Sequence, residues 1–155
     1  MLGRRDPVDP SVGQGPLSRG NQDMLTARER EVIHQIVVAL LPSFPPLDDE
    51  ARERVTRDAA SFLASQIAGM PTSLRLPYRA ALAAFDLLPL LRYGRSFPRL
   101  ERERQVAWLD LWNERGVVPT RSFVKLLRSC ALFAYFDHPL VVAQLCAVTR
   151  PEVAA

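Results

Sequence analysis

Ser96-Phe97-Pro98-Arg99-Leu100 opens, and Leu132-Phe133-Ala134-Tyr135-Phe136-Asp137-His138-Pro139 closes, the stretch that decides the fold of this 155-residue chain. Between the two ends Gly116 is the only glycine, and apolar residues recur at helical spacing. Residues 99 to 114 predict one helix. Leu100, Val106, Leu109 and Trp112 face inward on it, and the Glu101-Arg102-Glu103-Arg104 run faces solvent. Gly116 and Pro119 separate it from a second helix over about 120–135, whose apolar face is Phe123, Leu126, Leu127, Cys130 and Ala134. The aromatic run then stops at an Asp-His-Pro corner. Asp137 is expected to cap a short last helix, from which Leu140, Val141 and Leu145 pack back.

The segments before this stretch follow the same rules. Thr26-Ala27-Arg28-Glu29 is a capping box, in which a threonine hydroxyl and a glutamate carboxylate satisfy reciprocal backbone donors. Val32, Ile33, Ile36, Val37 and Leu40 continue it as a helical stripe, and Pro42, Pro45 and Pro46 end it. Asp48 or Asp49 caps a second helix with Val55, Ala59, Phe62, Leu63 and Ile67 on one face, stopped by Gly69 and Pro71. A third runs from about Pro77 to Tyr93, with Tyr78, Leu82, Phe85 and Leu88 aligned and Pro89 bending its last turns. Leu87, Leu88, Leu90 and Leu91 make that end apolar nearly all round, so it is either deeply buried or covered by another chain. The expected fold is all-α: a single-domain bundle of about five to six helices over residues 25–155. Residues 1–24, rich in Gly, Pro, Ser and Asp, form a flexible arm.

Composition narrows the function. The net charge is only +3, and arginine alternates with glutamate along helix faces, which makes solvated ion-paired surfaces and no phosphate track. Nucleic acid is therefore not an expected partner. Arg4-Arg5 has the start of a twin-arginine export signal, but Asp6-Pro7-Val8-Asp9-Pro10 follows where an apolar run is needed. No apolar run reaches the ~20 residues that span a bilayer. The expected location is the cytoplasm, or a membrane reached only through a complex.

Chemistry is sparse. His138 between Asp137 and Pro139 is read as packing at a helix corner, ahead of a role as proton shuttle or ligand, because no second group converges on it. His34 lies within an amphipathic helix. Asp48-Asp49-Glu50 suits a helix N-terminus. Cys130 and Cys146 lie in apolar contexts and behave as small buried hydrophobes. Without ligand spacing, a phosphate cradle or a nucleophile elbow, the chain is expected to hold no flavin, haem or metal and to act by contact. Phe97, Tyr135 and Phe136 flank loops and helix ends near arginine, the setting both of core aromatics and of interface anchors.

The order of these elements resembles the gluconate 2-dehydrogenase subunit 3 family. Leu25-Thr26-Ala27-Arg28-Glu29-Arg30 leads into Ile33, Ile36 and Leu40-Leu41-Pro42. A proline-bearing leucine helix follows, then Phe97, Leu100, Arg104 and Trp108-Leu109, and finally Leu132 to Pro139. The resemblance covers about residues 25–145. It implies a non-catalytic small subunit that binds and stabilises a large FAD-dependent oxidoreductase of the glucose–methanol–choline (GMC) type. Flavin and substrate then belong to the large flavoprotein subunit. It also points to Phe97, Arg99, Tyr135, Phe136 and His138 as the partner interface. The small subunit in that family often carries the export signal; here no apolar run follows Arg4-Arg5, so periplasmic delivery is not the expectation, and Leu145-Cys146-Ala147 stands where relatives often carry glycine. The alternative is a free-standing helical interaction or regulatory module with an unrelated partner.

Overall fold

A computed structural model describes residues 25–149; the expected arm, residues 1–24, and the last six residues lie outside this range. Among the described residues there are six α-helices, one 3₁₀ turn at Phe97–Arg99 and no strand. The helices are α1 (Ala27–Leu40), α2 (Asp49–Ala68), α3 (Thr72–Tyr93), α4 (Arg102–Glu114), α5 (Val118–Phe136) and α6 (Pro139–Thr149). α5 packs against α2, α4 and α1, while α1 touches α2, α3 and α4, so these two helices line the core.

Most boundaries follow local chemistry. The Thr26 hydroxyl accepts from the Glu29 amide at 3.1 Å, and the Thr26 amide donates to the Glu29 carboxylate at 2.6 Å. Asp48 caps α2 by accepting from the Ala51 amide at 2.7 Å. Gly94 closes α3 in the left-handed region, at φ 67°. At Gly116 a Cβ would sit 2.1 Å from the Thr120 hydroxyl and 2.3 Å from the Trp112 carbonyl, so only glycine fits between α4 and α5.

Three expectations need correction. First, α3 starts at Thr72, with Pro77 inside it. The missing Pro77 amide would have served Ser73, an exposed residue near the start of the helix, so the helix tolerates the proline. Leu88, expected to align with Phe85, is exposed instead. Second, α4 begins only at Arg102, after the 3₁₀ turn. Its buried stripe is Gln105, Trp108, Leu109 and Trp112, and Val106 points out at 37% exposure. The i, i+3, i+4, i+7 spacing puts Trp108 and not Val106 on the inner line. Third, Asp137 ends α5, and His138 caps α6: its Nδ1 accepts from the Leu140 amide at 3.2 Å.

The centre of the fold is Phe85. Its ring lies 4.7 Å from Phe97 and 4.9 Å from Trp112, centroid to centroid, with Trp108 and Phe123 just beyond. Pro89 has no N–H, so it cannot bond the carbonyl four residues back, which belongs to Phe85. The Trp108 indole donates to that carbonyl instead, at 3.2 Å and fully inside the protein. One turn earlier on α4, the Gln105 amide side chain donates to the Phe97 carbonyl at 3.2 Å. The two bonds fasten α4 to α3 and to the turn between them.

Two reciprocal ion pairs tie α1 to α3. Arg28 donates twice to Asp86, both bonds 2.8 Å, and Arg79 donates twice to Glu29, at 2.7 and 3.0 Å. The Asp86 side chain is only 7% accessible. Burial pushes the Glu29 carboxyl up, but the bonds from Arg79 and Thr26 outweigh it together and hold its pKa below the usual range.

Trp108→Phe should remove about 1–3 kcal/mol, because it strands a buried carbonyl. Pro89→Ala in the same chain should recover part of the loss by restoring a helical donor. A urea double-mutant cycle tests this, and zero or adverse coupling would contradict it. Glu29→Gln keeps a side chain able to complete the capping box but removes the charge. A depressed folded pKa stabilises above the unfolded value, near 4.3, and that gain is lost as pH falls through the folded value. The gap in urea midpoint between wild type and Glu29→Gln should therefore be largest near neutral pH and close progressively below about pH 4.

Candidate interaction surface

Five residues were singled out as the interface, and the fold separates them. Phe97 is 0% exposed and Tyr135 1%. Phe97 packs on Phe85, and the Tyr135 hydroxyl donates to the Phe44 carbonyl at 3.3 Å. Burial pushes the Tyr135 phenol pKa up, against a smaller downward pull from the Arg52 charge. These two aromatics hold the core together and present nothing to a partner, a correction to their reading as anchors. The period of a helix records which residues share a face, and here that face is the inner one. Arg99 is exposed in the 3₁₀ turn, and Phe136 is 45% exposed at the end of α5.

His138 is mostly covered. Because its Nδ1 accepts from the Leu140 amide, the neutral ring carries its proton on Nε2, which lies 3.2 Å from an Asp58 carboxylate oxygen. The imidazole thus joins α2 to the start of α6. Cys130 is partly buried, and desolvation raises its pKa, which favours the thiol. Cys146 is exposed, contrary to the buried placement expected for it. Among the described residues no group of three His, Cys, Asp or Glu side chains is placed to hold a metal. A groove of about 590 Å³ runs between α1 and α2, with Arg30, Glu31, His34 and Arg57 along its rims and Ala60 and Ala64 among its lining.

The most unusual surface is on α3. Successive residues step by about 100° around a helix. Leu82, Phe85 and Pro89 are buried and share one arc. Leu76, Ala80, Ala83, Leu87, Leu90 and Leu91 fall on the opposite arc, and all six are exposed. Leu91 is 87% exposed and Leu76 60%. The charged Arg79 and Asp86 lie beside the inner arc and are consumed by the pairs with α1. The outer arc from Leu76 to Leu91 therefore carries no charge over about 22 Å of helix. An ordinary surface helix has the reverse arrangement, polar outside and apolar inside only. Of the two outcomes expected for the leucine-rich end, burial among the described residues is excluded. The extension back to Leu76 was readable at helical spacing, but a start at Pro77 cut it off.

The α6 helix adds a second uncharged element, with Val142 and Val148 about half exposed; Phe133 and Phe136 of the preceding helix are exposed too. No single helix among the described residues is long and apolar enough to cross a membrane. α5 and α6 reach that threshold only as a pair, and they are bent by 67° at the corner between them.

Six helices closed around one aromatic core, with an apolar face left uncovered by the described residues, make this an all-α bundle with room for a partner. The chain belongs to the gluconate 2-dehydrogenase subunit 3 family, whose model matches residues 27–149. No curated protein and no solved structure matches it significantly.

Phe97→Ala should lower stability by about 3–5 kcal/mol, as a core truncation does, whereas Phe136→Ala should stay within about 0.5 kcal/mol of wild type. Thermal unfolding of the two variants checks this. Equal losses would mean that the two rings share one environment.

Proposed function

We propose that this chain is the non-catalytic small subunit of a dehydrogenase, binding and stabilising a large FAD-dependent GMC-type subunit that oxidises a sugar or an alcohol. The flavin and the reacting substrate belong to the large subunit, and this chain supplies surface. The uncharged outer arc of α3 carries the proposal. Exposed contiguous apolar surface of this kind is uncommon on free monomers and marks contact sites. The family description supports it by making its members subunits of a dehydrogenase.

The chemistry of such a subunit is mechanical. Covering an apolar face of a large flavoprotein removes that face from water in both chains, at roughly 25 cal/mol per Å² of apolar area. A chain that binds only the folded partner shifts the partner's unfolding equilibrium by mass action. The stabilisation then grows with the concentration of the small subunit.

Co-expression with a tagged GMC-type flavoprotein encoded beside its gene tests this. The two chains should elute as one flavin-containing species, and the flavoprotein should unfold at lower temperature when made alone. A flavoprotein equally stable alone, with none of this chain bound, would refute the reading.

A further inference from the structure

Resting on that subunit reading, we infer that the partner seats on the C-terminal half of α3, through the leucines of its outer arc and a set of arginines at its end, and that the partner's surface there is an apolar groove edged with carboxylates. The leucines are Leu87, Leu90 and Leu91, with Leu88 on the flank. The arginines are Arg92, Arg95, Arg99 and Arg104, all exposed.

Uncompensated positive charge distinguishes this end of the helix. None of the four arginines is in an ion pair with a carboxylate of the described residues, although Glu101 and Glu103 lie close in sequence. Arg92 and Arg104 instead rest against the Tyr93 ring, their guanidinium carbons 5.7 and 5.6 Å from its centroid. An aromatic ring orients a guanidinium but takes none of its five N–H donors, so both forks remain open to a carboxylate. A helix dipole accounts for Arg92 in the last turn of α3. It does not account for Arg104, which stands in the first turn of α4, where the dipole disfavours a cation. Arginine is also among the residues enriched at interface hot spots.

The test measures binding of the full-length chain to the flavoprotein subunit with which it co-elutes. Wild type should weaken by about tenfold or more between about 50 and 500 mM NaCl, as screening removes the charge pairs. Leu87→Ser with Leu91→Ser should weaken binding by about tenfold or more at low salt, with unchanged circular dichroism and melting, because both side chains already face water. Arg95→Glu with Arg99→Glu should weaken it similarly and flatten the salt dependence. Phe133→Ser, an exposed change on α5, should bind as wild type does. If wild type binds and the two double variants bind equally well, or Phe133→Ser alone releases the partner, the α3 seat is wrong and the subunit reading stands. If wild type binds no flavoprotein at any salt, the subunit reading itself fails. Light scattering on the isolated chain adds a further outcome: a dimer that Leu91→Ser converts to a monomer would assign the face to a second copy and overturn the proposal.

Discussion

Pro89 removes one hydrogen-bond donor from the middle of this protein, and much of the architecture answers that loss. The Phe85 carbonyl, left unserved by its own helix, is buried, and a buried carbonyl without a partner costs about as much as a hydrogen bond to charge contributes. The Trp108 indole fills the vacancy at 3.2 Å. Trp108 reaches the α3 backbone from α4, and the same helix brings Trp112 edge-on to the Phe85 ring and Gln105 within hydrogen-bond distance of the Phe97 carbonyl. One missing N–H thereby fixes the position of a helix, a turn and an aromatic cluster.

The same helix divides its polar groups unusually. Arg79 and Asp86 are turned toward α1, where Arg79 donates two hydrogen bonds to Glu29 and Asp86 accepts two from Arg28. A carboxylate as covered as Asp86 is stable only with a well-aligned cation, and the reciprocal arrangement supplies one to each helix. With the charges drawn to the inner side, alanine and leucine are left outside. The inner face of α3 completes the core, and its outer face is left uncovered by the described residues. That division is the observation on which the proposed subunit role rests.

Much of the fold was legible from local rules. The capping box at Thr26, the Asp48 cap, Gly94 and Gly116 act within a few residues, and their physics needs no distant partner. The errors share a different cause. Pro77 looks like a helix start because proline lacks an N–H, yet that donor was dispensable beside an exposed Ser73. Val106 was expected on the inner face of α4, whereas the i, i+3, i+4 line through Gln105 and Leu109 selects Trp108. Asp137 has the side chain of a cap, but the chain turns so that His138 holds the position. Family likeness drew attention to Phe97 and Tyr135, and what they have in common is a core role.

The sequence by itself determined the all-α class, the order of the helices, most of their ends and an excess of apolar surface on the third one. These follow from periodicity and from groups that act on neighbours along the chain. Only the tertiary structure decided which stripe of α3 is inside, that Phe97 and Tyr135 are buried while Phe136 is exposed, and that Arg92 and Arg104 meet at Tyr93. Periodicity states that residues share a face. Whether that face meets protein or water depends on segments far away in sequence, and here on a tryptophan nineteen residues after the proline that required it.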